Sequence, residues 1–169
     1  QTRFSAKDFT FTTLNDAQFG PSDIEAQCDH DVSGTVIGCS FKASELSLSN
    51  IAKIGTSLPL PAAALKLLRD RPFPGTLRQL NASFNGDYAD LGAWTFSSFF
   101  TGLSLPPAND GMPGVRNISG EISTSNPGEF EVDLDTHYAT LYFPGIFRHP
   151  QMNFSSITGR VSAALHSTP

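Results

Sequence analysis

MPGVRNISGEISTSNPGEFEVDLDTHYATLYFPGIFRHPQMNFSSITGR, running from Met112 to Arg160, is the stretch whose rhythm decides the fold. From Phe130 the apolar residues fall at Phe130, Val132 and Leu134, with Glu129, Glu131, Asp133 and Asp135 between them. That is a period of two, the mark of a strand dry on one face and wet on the other. After Asp135-Thr136-His137 the beat resumes as Ala139, Leu141 and Phe143, interleaved with Tyr138, Thr140 and Tyr142. The break predicts a hairpin that turns two apolar rows to the same side. A shorter alternating strand precedes it, between Pro113-Gly114 and Asn126-Pro127-Gly128, and Pro144 stops the run.

Outward from this unit, the composition agrees with a sheet. The chain has 169 residues, enough for one domain with a sizeable core. Only 16% of residues are charged, while 14 Phe, 14 Gly and 12 Pro suit strands joined by many turns. A net charge of -5 supplies no electrostatic footprint for nucleic acid or an anionic membrane surface. No apolar run reaches the ~18 residues that would span a bilayer. The start at Gln1, without Met or leader, predicts a processed chain or an internal fragment of a longer one, read as a single β-rich segment over 1–169.

Nearer the N-terminus, Arg3 to Thr13 alternates around Phe9 and Phe11 and reads as a strand. Ile24 to Cys28 and Thr35 to Ala43 form a hairpin about Val32-Ser33-Gly34-Thr35. Its register sets Cys28 opposite Cys39, where a disulfide and a pair of small buried thiols both fit. A bridge would imply an oxidising compartment. Ser44 to Ser49 continues the sheet or leads out of it. LPLPAAALKLLRDRPFPG (Leu58 to Gly75) carries the helix signal: Pro61 suits a first turn, Ala62 to Arg69 are good helix formers, and Pro72 and Pro74 end it. The expectation is one short helix near 61–70, with Leu65 and Leu68 on the sheet or at its end. Asp90 to Leu105, apolar on both faces around Trp94, Phe96, Phe99 and Phe100, is expected to be the most buried strand.

An apolar-small-apolar pattern recurs at Leu80-x-Ala82-x-Phe84, Ile118-x-Gly120-x-Ile122 and Ile157-x-Gly159-x-Val161, at intervals of 38 and 39 residues. Such a period means one supersecondary unit stacked on its neighbours. Three sequons, at Asn81, Asn117 and Asn153, echo it.

Catalysis finds little support. There is no Gly-x-Ser-x-Gly elbow, no HExxH and no phosphate-cradling loop, so no catalytic residue or cofactor is assigned. Asp133, Asp135 and His137 share a strand face on which ligands for a divalent metal could converge, but the same spacing describes a solvated outer face. Cys28, Asp29, His30 and Asp31 are denser, yet turns favour Asp and adjacent strand residues point oppositely. No metal site is assigned.

The succession of LPLP and a short helix, PxPGTLRxL, FTGLSL, PGVxxISGEI, GEFEVDLD, ATLYFP, the Phe147 and Pro150 pair, and ITGRV resembles the YhdP-type AsmA-like family of proteobacterial envelope proteins, over Leu58 to Val161. It departs where Tyr138 and Tyr142 stand at positions that family fills with polar residues. The resemblance implies a long, curved, mostly antiparallel sheet with an apolar inner surface. It also implies a non-enzymatic, bridge-like protein that moves phospholipid between inner and outer membranes. Its members lie in the periplasm, held in the inner membrane by a helix that would fall outside this segment. The implied partners are phospholipid acyl chains, neighbouring segments of the same long chain and, through parts outside this segment, the two membranes.

An acyl chain costs about 0.8 kcal/mol per methylene left in water, so a carrier needs a continuous apolar trough rather than a reactive group. The candidate lining is Ile118, Ile122, Phe130, Val132, Leu134, Ala139, Leu141, Phe143, Ile157 and Val161. Alternation alone favours a dry sandwich core, as in a structural module that spaces envelope partners without lipid, and it is the resemblance that favours a groove. An open trough against a filled interior separates the two.

Overall fold

The computed structural model describes residues 1–13, 18–54, 73–86, 93–107, 113–126 and 129–164. Eight strands follow one another: β1 (Thr2–Thr12), β2 (Gln18–His30), β3 (Val36–Ser47), β4 (Thr76–Asn85), β5 (Trp94–Leu105), β6 (Gly114–Asn126), β7 (Glu129–Tyr142) and β8 (Gln151–Ala164). A seven-residue helix, α1 (Leu48–Ile54), leaves the end of β3. The strands lie side by side in chain order, all antiparallel, with β1 and β8 as unpaired edges. The result is one open antiparallel sheet, mainly β as expected, and not a closed sandwich. The three copies of the apolar-small-apolar pattern fall on β4, β6 and β8, so one repeat is a pair of strands.

The break at Asp135-Thr136-His137 is not a hairpin turn. β7 runs through it unbroken for 14 residues, and the change of phase comes from a bulge at Tyr138, whose φ is +58°. Left-handed backbone recurs at Asp8, Gln79 and Asn117, each beside a shift of strand register. An apolar residue of one face follows each: Phe9, Leu80, Ile118 and Ala139. Bulged strands bend and twist more strongly, so the ladder bends at each of these positions, and the face that bears these four apolar residues is the inner face.

Bulges cost ladder hydrogen bonds, and nearby polar side chains supply them: Asp8 N donates to Asp23 Oδ1 at 2.9 Å, and Asn117 Nδ2 donates to the His137 and Tyr138 carbonyls at 3.0 and 3.2 Å. Ser44 Oγ accepts from Asp23 N at 2.9 Å, and Ser22 Oγ from Glu45 N at 3.2 Å. Ser98 Oγ donates to the Arg78 carbonyl at 3.0 Å, and Ser119 Oγ accepts from Gly102 N at 3.1 Å. Thr136 Oγ1 accepts from Ser119 N at 2.8 Å and donates back to Ser119 O at 2.7 Å. Ser22, Ser98 and Thr136 are buried yet satisfied, which avoids the penalty of an orphaned buried polar group.

Two apolar clusters occupy the inner face. The first joins Phe19, Ile24, Ala43, Leu46 and Leu80, with Ile51 of α1 packed on it. The second joins Phe100, Ile118 and Ala139, ringed by half-buried Ile122, Val132, Leu134, Leu141 and Ile157 among others. Leu77 touches both, so the apolar surface is continuous.

Three expectations need correction or placing. The helix near 61–70 lies outside the described residues; of the Ser44 to Ser49 stretch, Ser44 to Ser47 continue β3 and α1 begins at Leu48. β5 does bury Ser98 and Phe100, but Phe99 is 45% exposed, because among the described residues no second layer covers that face of the strand. Cys28 and Cys39 pair across β2 and β3 as the register requires, and they are joined by a disulfide.

Candidate functional site

Strand register lays the inner face out in rows that cross the strands. One row runs Leu46, Leu77, Phe100, Gly120, Leu134 and Gly159 from β3 to β8. A second runs Phe4, Ala26, Phe41, Ala82 and Phe96 from β1 to β5. Gly120 lies tight against the β7 backbone: a Cβ there would run into the Asp133 carbonyl. Only glycine lets the row pass this point without pushing the strands apart.

Of the ten predicted lining residues, Ile118, Ile122, Val132, Leu134, Ala139, Leu141 and Ile157 come together in the second cluster. Ala139 is fully buried, whereas Ile122, Val132, Leu134, Leu141 and Ile157 stay half-buried, in reach of something laid on the face. Phe130 is half-buried two residues before Val132, outside the cluster. Phe143 lies beyond the end of β7, edge-on to Phe147 at 5.7 Å between ring centres. Val161 stands opposite Val132 but is 53% exposed, because β8 is an edge with no further strand beside it. Sequence reasoning missed Leu77, Phe100, Leu103 and Val115, which complete the cluster. Their alternation is visible, but which face it serves depends on neighbours far away in sequence.

The opposite face is wet. Asp133 lies opposite Arg160, which donates from Nε and Nη2 to its two carboxylate oxygens at 2.7 and 3.0 Å, and Glu131 adds a contact at 3.2 Å. The two carboxylates hold the Arg160 guanidinium above its ordinary pKa, Asp133 most strongly. Asp133, Asp135 and His137 therefore do not converge on a metal, and among the described residues no three His, Cys, Asp or Glu side chains do. Cys28 and Cys39 are spent in their bridge. At the tip between β2 and β3, Asp31 Oδ1 accepts from Ser33 Oγ at 2.6 Å, Ser33 N at 2.8 Å and Thr35 N at 2.9 Å. The Ser33 hydroxyl, followed by the Thr35 amide, lowers the Asp31 pKa.

Two shallow depressions lie nearer the first cluster. One, of about 300 Å³, crosses β3 to β6 along Phe41, Ala82 and Phe96 and the hydroxyls of Ser40, Ser83 and Thr95. The other, of about 420 Å³, adjoins Ile37, Cys39 and Phe84. Neither touches the predicted lining. No described helix is long and apolar enough to cross a membrane.

A family model described as YhdP protein matches residues 2–167. Nothing among curated proteins or among solved structures matches the chain.

Proposed function

We propose, from the premise that the chain belongs to the envelope-associated YhdP family, that this segment conducts phospholipid between the inner and outer membranes of a bacterial envelope. It works without catalysing a reaction. Acyl chains lie on the inner face, along the rows that cross the strands, and their headgroups remain in water at its margin. The segment stands in the periplasm, where the Cys28–Cys39 bridge is at home. Anchorage to the inner membrane and delivery at the outer one belong to parts of the protein beyond it.

The observation that supports this reading best is the unbroken apolar surface on an open sheet, with Val132, Leu134 and Leu141 left half-buried. Each methylene that moves from water onto such a surface gains up to about 0.8 kcal/mol, so a whole acyl chain is held without any specific contact. The same lack of specific contacts lets it slide.

Photoactivatable phospholipid, cross-linked to the protein and mapped by peptide mass spectrometry, tests the reading. Adducts are expected on β6 to β8 at inner-face positions such as Val132, Leu134 and Ile157. Adducts spread equally over Glu131, Asp133 and Arg160 would contradict it.

A further inference from the structure

Charge is unevenly placed along the hairpin of β7 and β8. Glu129, Glu131, Asp133 and Asp135 crowd the first half of β7, and no Asp or Glu follows Asp135 anywhere in the chain. Beyond β7, Phe143-Pro144-Gly145-Ile146-Phe147-Arg148-His149-Pro150 makes the connection to β8. This tip is a built turn. Phe143 N donates to Pro150 O at 2.8 Å, Ile146 N donates to Phe143 O at 3.3 Å, and the Phe147 ring stands edge-on against Phe143.

Within this frame Ile146 is 64% exposed and Phe147 51%, side by side, with exposed Arg148 and His149 next in the chain. Among the described residues no carboxylate pairs with Arg148. The tip between β2 and β3, at the opposite end of the sheet, offers an internal contrast. Val32 is fully exposed there, but Asp29 and Asp31 flank it.

We propose that the β7–β8 tip is a docking point for an anionic lipid surface. Ile146 and Phe147 enter the apolar boundary of the bilayer, and Arg148, with His149 beside it, meets the anionic headgroups. Adjacent aliphatic and aromatic side chains backed by a cation are the combination that holds a peripheral element at such an interface. The turn presents them already ordered, so little entropy is lost on docking. An acidic chain is repelled from such a surface as a whole, whereas the tip lies in the stretch after Asp135 that holds no carboxylate. The inference does not rest on lipid passing along the inner face.

Flotation with vesicles of phosphatidylglycerol and phosphatidylethanolamine, against vesicles of phosphatidylcholine alone, tests it. The chain is expected to float with the anionic vesicles and to be released by high salt. Ile146→Asp, which leaves the Phe143 and Phe147 pair intact, should weaken binding about tenfold or more. Arg148→Ser should weaken it about fivefold. Val32→Ser should change nothing, and Val132→Asp, which spoils the inner face, should leave vesicle binding in place. Equal binding to both kinds of vesicle, no binding at all, or an unchanged Ile146→Asp protein would overturn the proposal. So would native mass spectrometry showing that Ile146→Asp dissolves an oligomer, which would make the tip a protein contact.

Discussion

The two apolar clusters sit on the same meander and finish differently. Around Phe19, Ile24 and Leu46 the sheet is closed over by Ile51 of α1, and the β2–β3 ladder beside it is stapled by the Cys28–Cys39 disulfide. Around Phe100, Ile118 and Ala139 no described helix covers the sheet, and the surrounding Val132, Leu134 and Leu141 remain half-buried. One region spends its apolar surface on stability. The other keeps it available.

Substitutions should separate the two regions most sharply where the chemistry is harshest. Leu46→Asp buries a charge beneath the covered cluster and should cost about 3–5 kcal/mol, enough to unfold a marginal domain. Val132→Asp places the same group on the open face and should leave a folded sheet by circular dichroism. Glu131→Lys, on the wet face, should disturb neither fold nor lipid. If Leu46→Asp and Val132→Asp destabilise alike in urea, the two regions do not differ as described.

The disulfide comes next. Replacing both Cys28 and Cys39 by Ser removes a link that closes a short loop, and it should lower stability by about 2–3 kcal/mol. Because the link lies in the covered half, lipid retention by the folded protein should not change. Thr136→Val is expected to be milder, at about 1–3 kcal/mol, because it strands the buried N–H and C=O of Ser119 at a bulge. Hydrogen exchange should quicken around Ser119 and Thr136 first, and an unchanged pattern there would deny the hydroxyl its role in the bent ladder.

The smallest effect belongs to the acidic tip. The pKa of Asp31 is lowered in the folded chain, so its stabilisation is complete above the ordinary carboxylate range and fades as pH falls through the lowered value. The urea midpoint of the wild type should therefore exceed that of Asp31→Ala slightly at neutral pH, and the gap should narrow in acid.

Much of this was legible because a period of two survives local distortion. Phe130, Val132 and Leu134 on one side of the break, and Ala139 and Leu141 on the other, announce a shared face whichever device joins them. A hairpin turn and a bulge both shift the phase by one residue, so the letters do not tell them apart. Only the unbroken pairing of β7 with β8 shows which is present. Cys28 and Cys39 were readable for the opposite reason, since the short Asp31-to-Thr35 turn pins the register next to it.

The rest hides in long-range neighbours. α1 is too short for helical periodicity to stand out from Ser47-Leu48-Ser49, and its stability comes from Ile51 meeting strands distant in sequence. Leu77 and Phe100 meet in one row because β4 and β5 are adjacent, and nothing in either stretch says so. Phe99 shows the converse, an apolar residue beside Phe100 that the single layer leaves in water.

Native mass spectrometry of gently purified protein, with lipid extraction from the same sample, asks whether the open inner face carries phospholipid. Co-purifying phospholipid is expected on the wild type, and its loss is expected from a folded Val132→Asp protein. A compact wild-type protein that carries no lipid, or a Val132→Asp protein that keeps it, would show that acyl chains do not lie on the inner face.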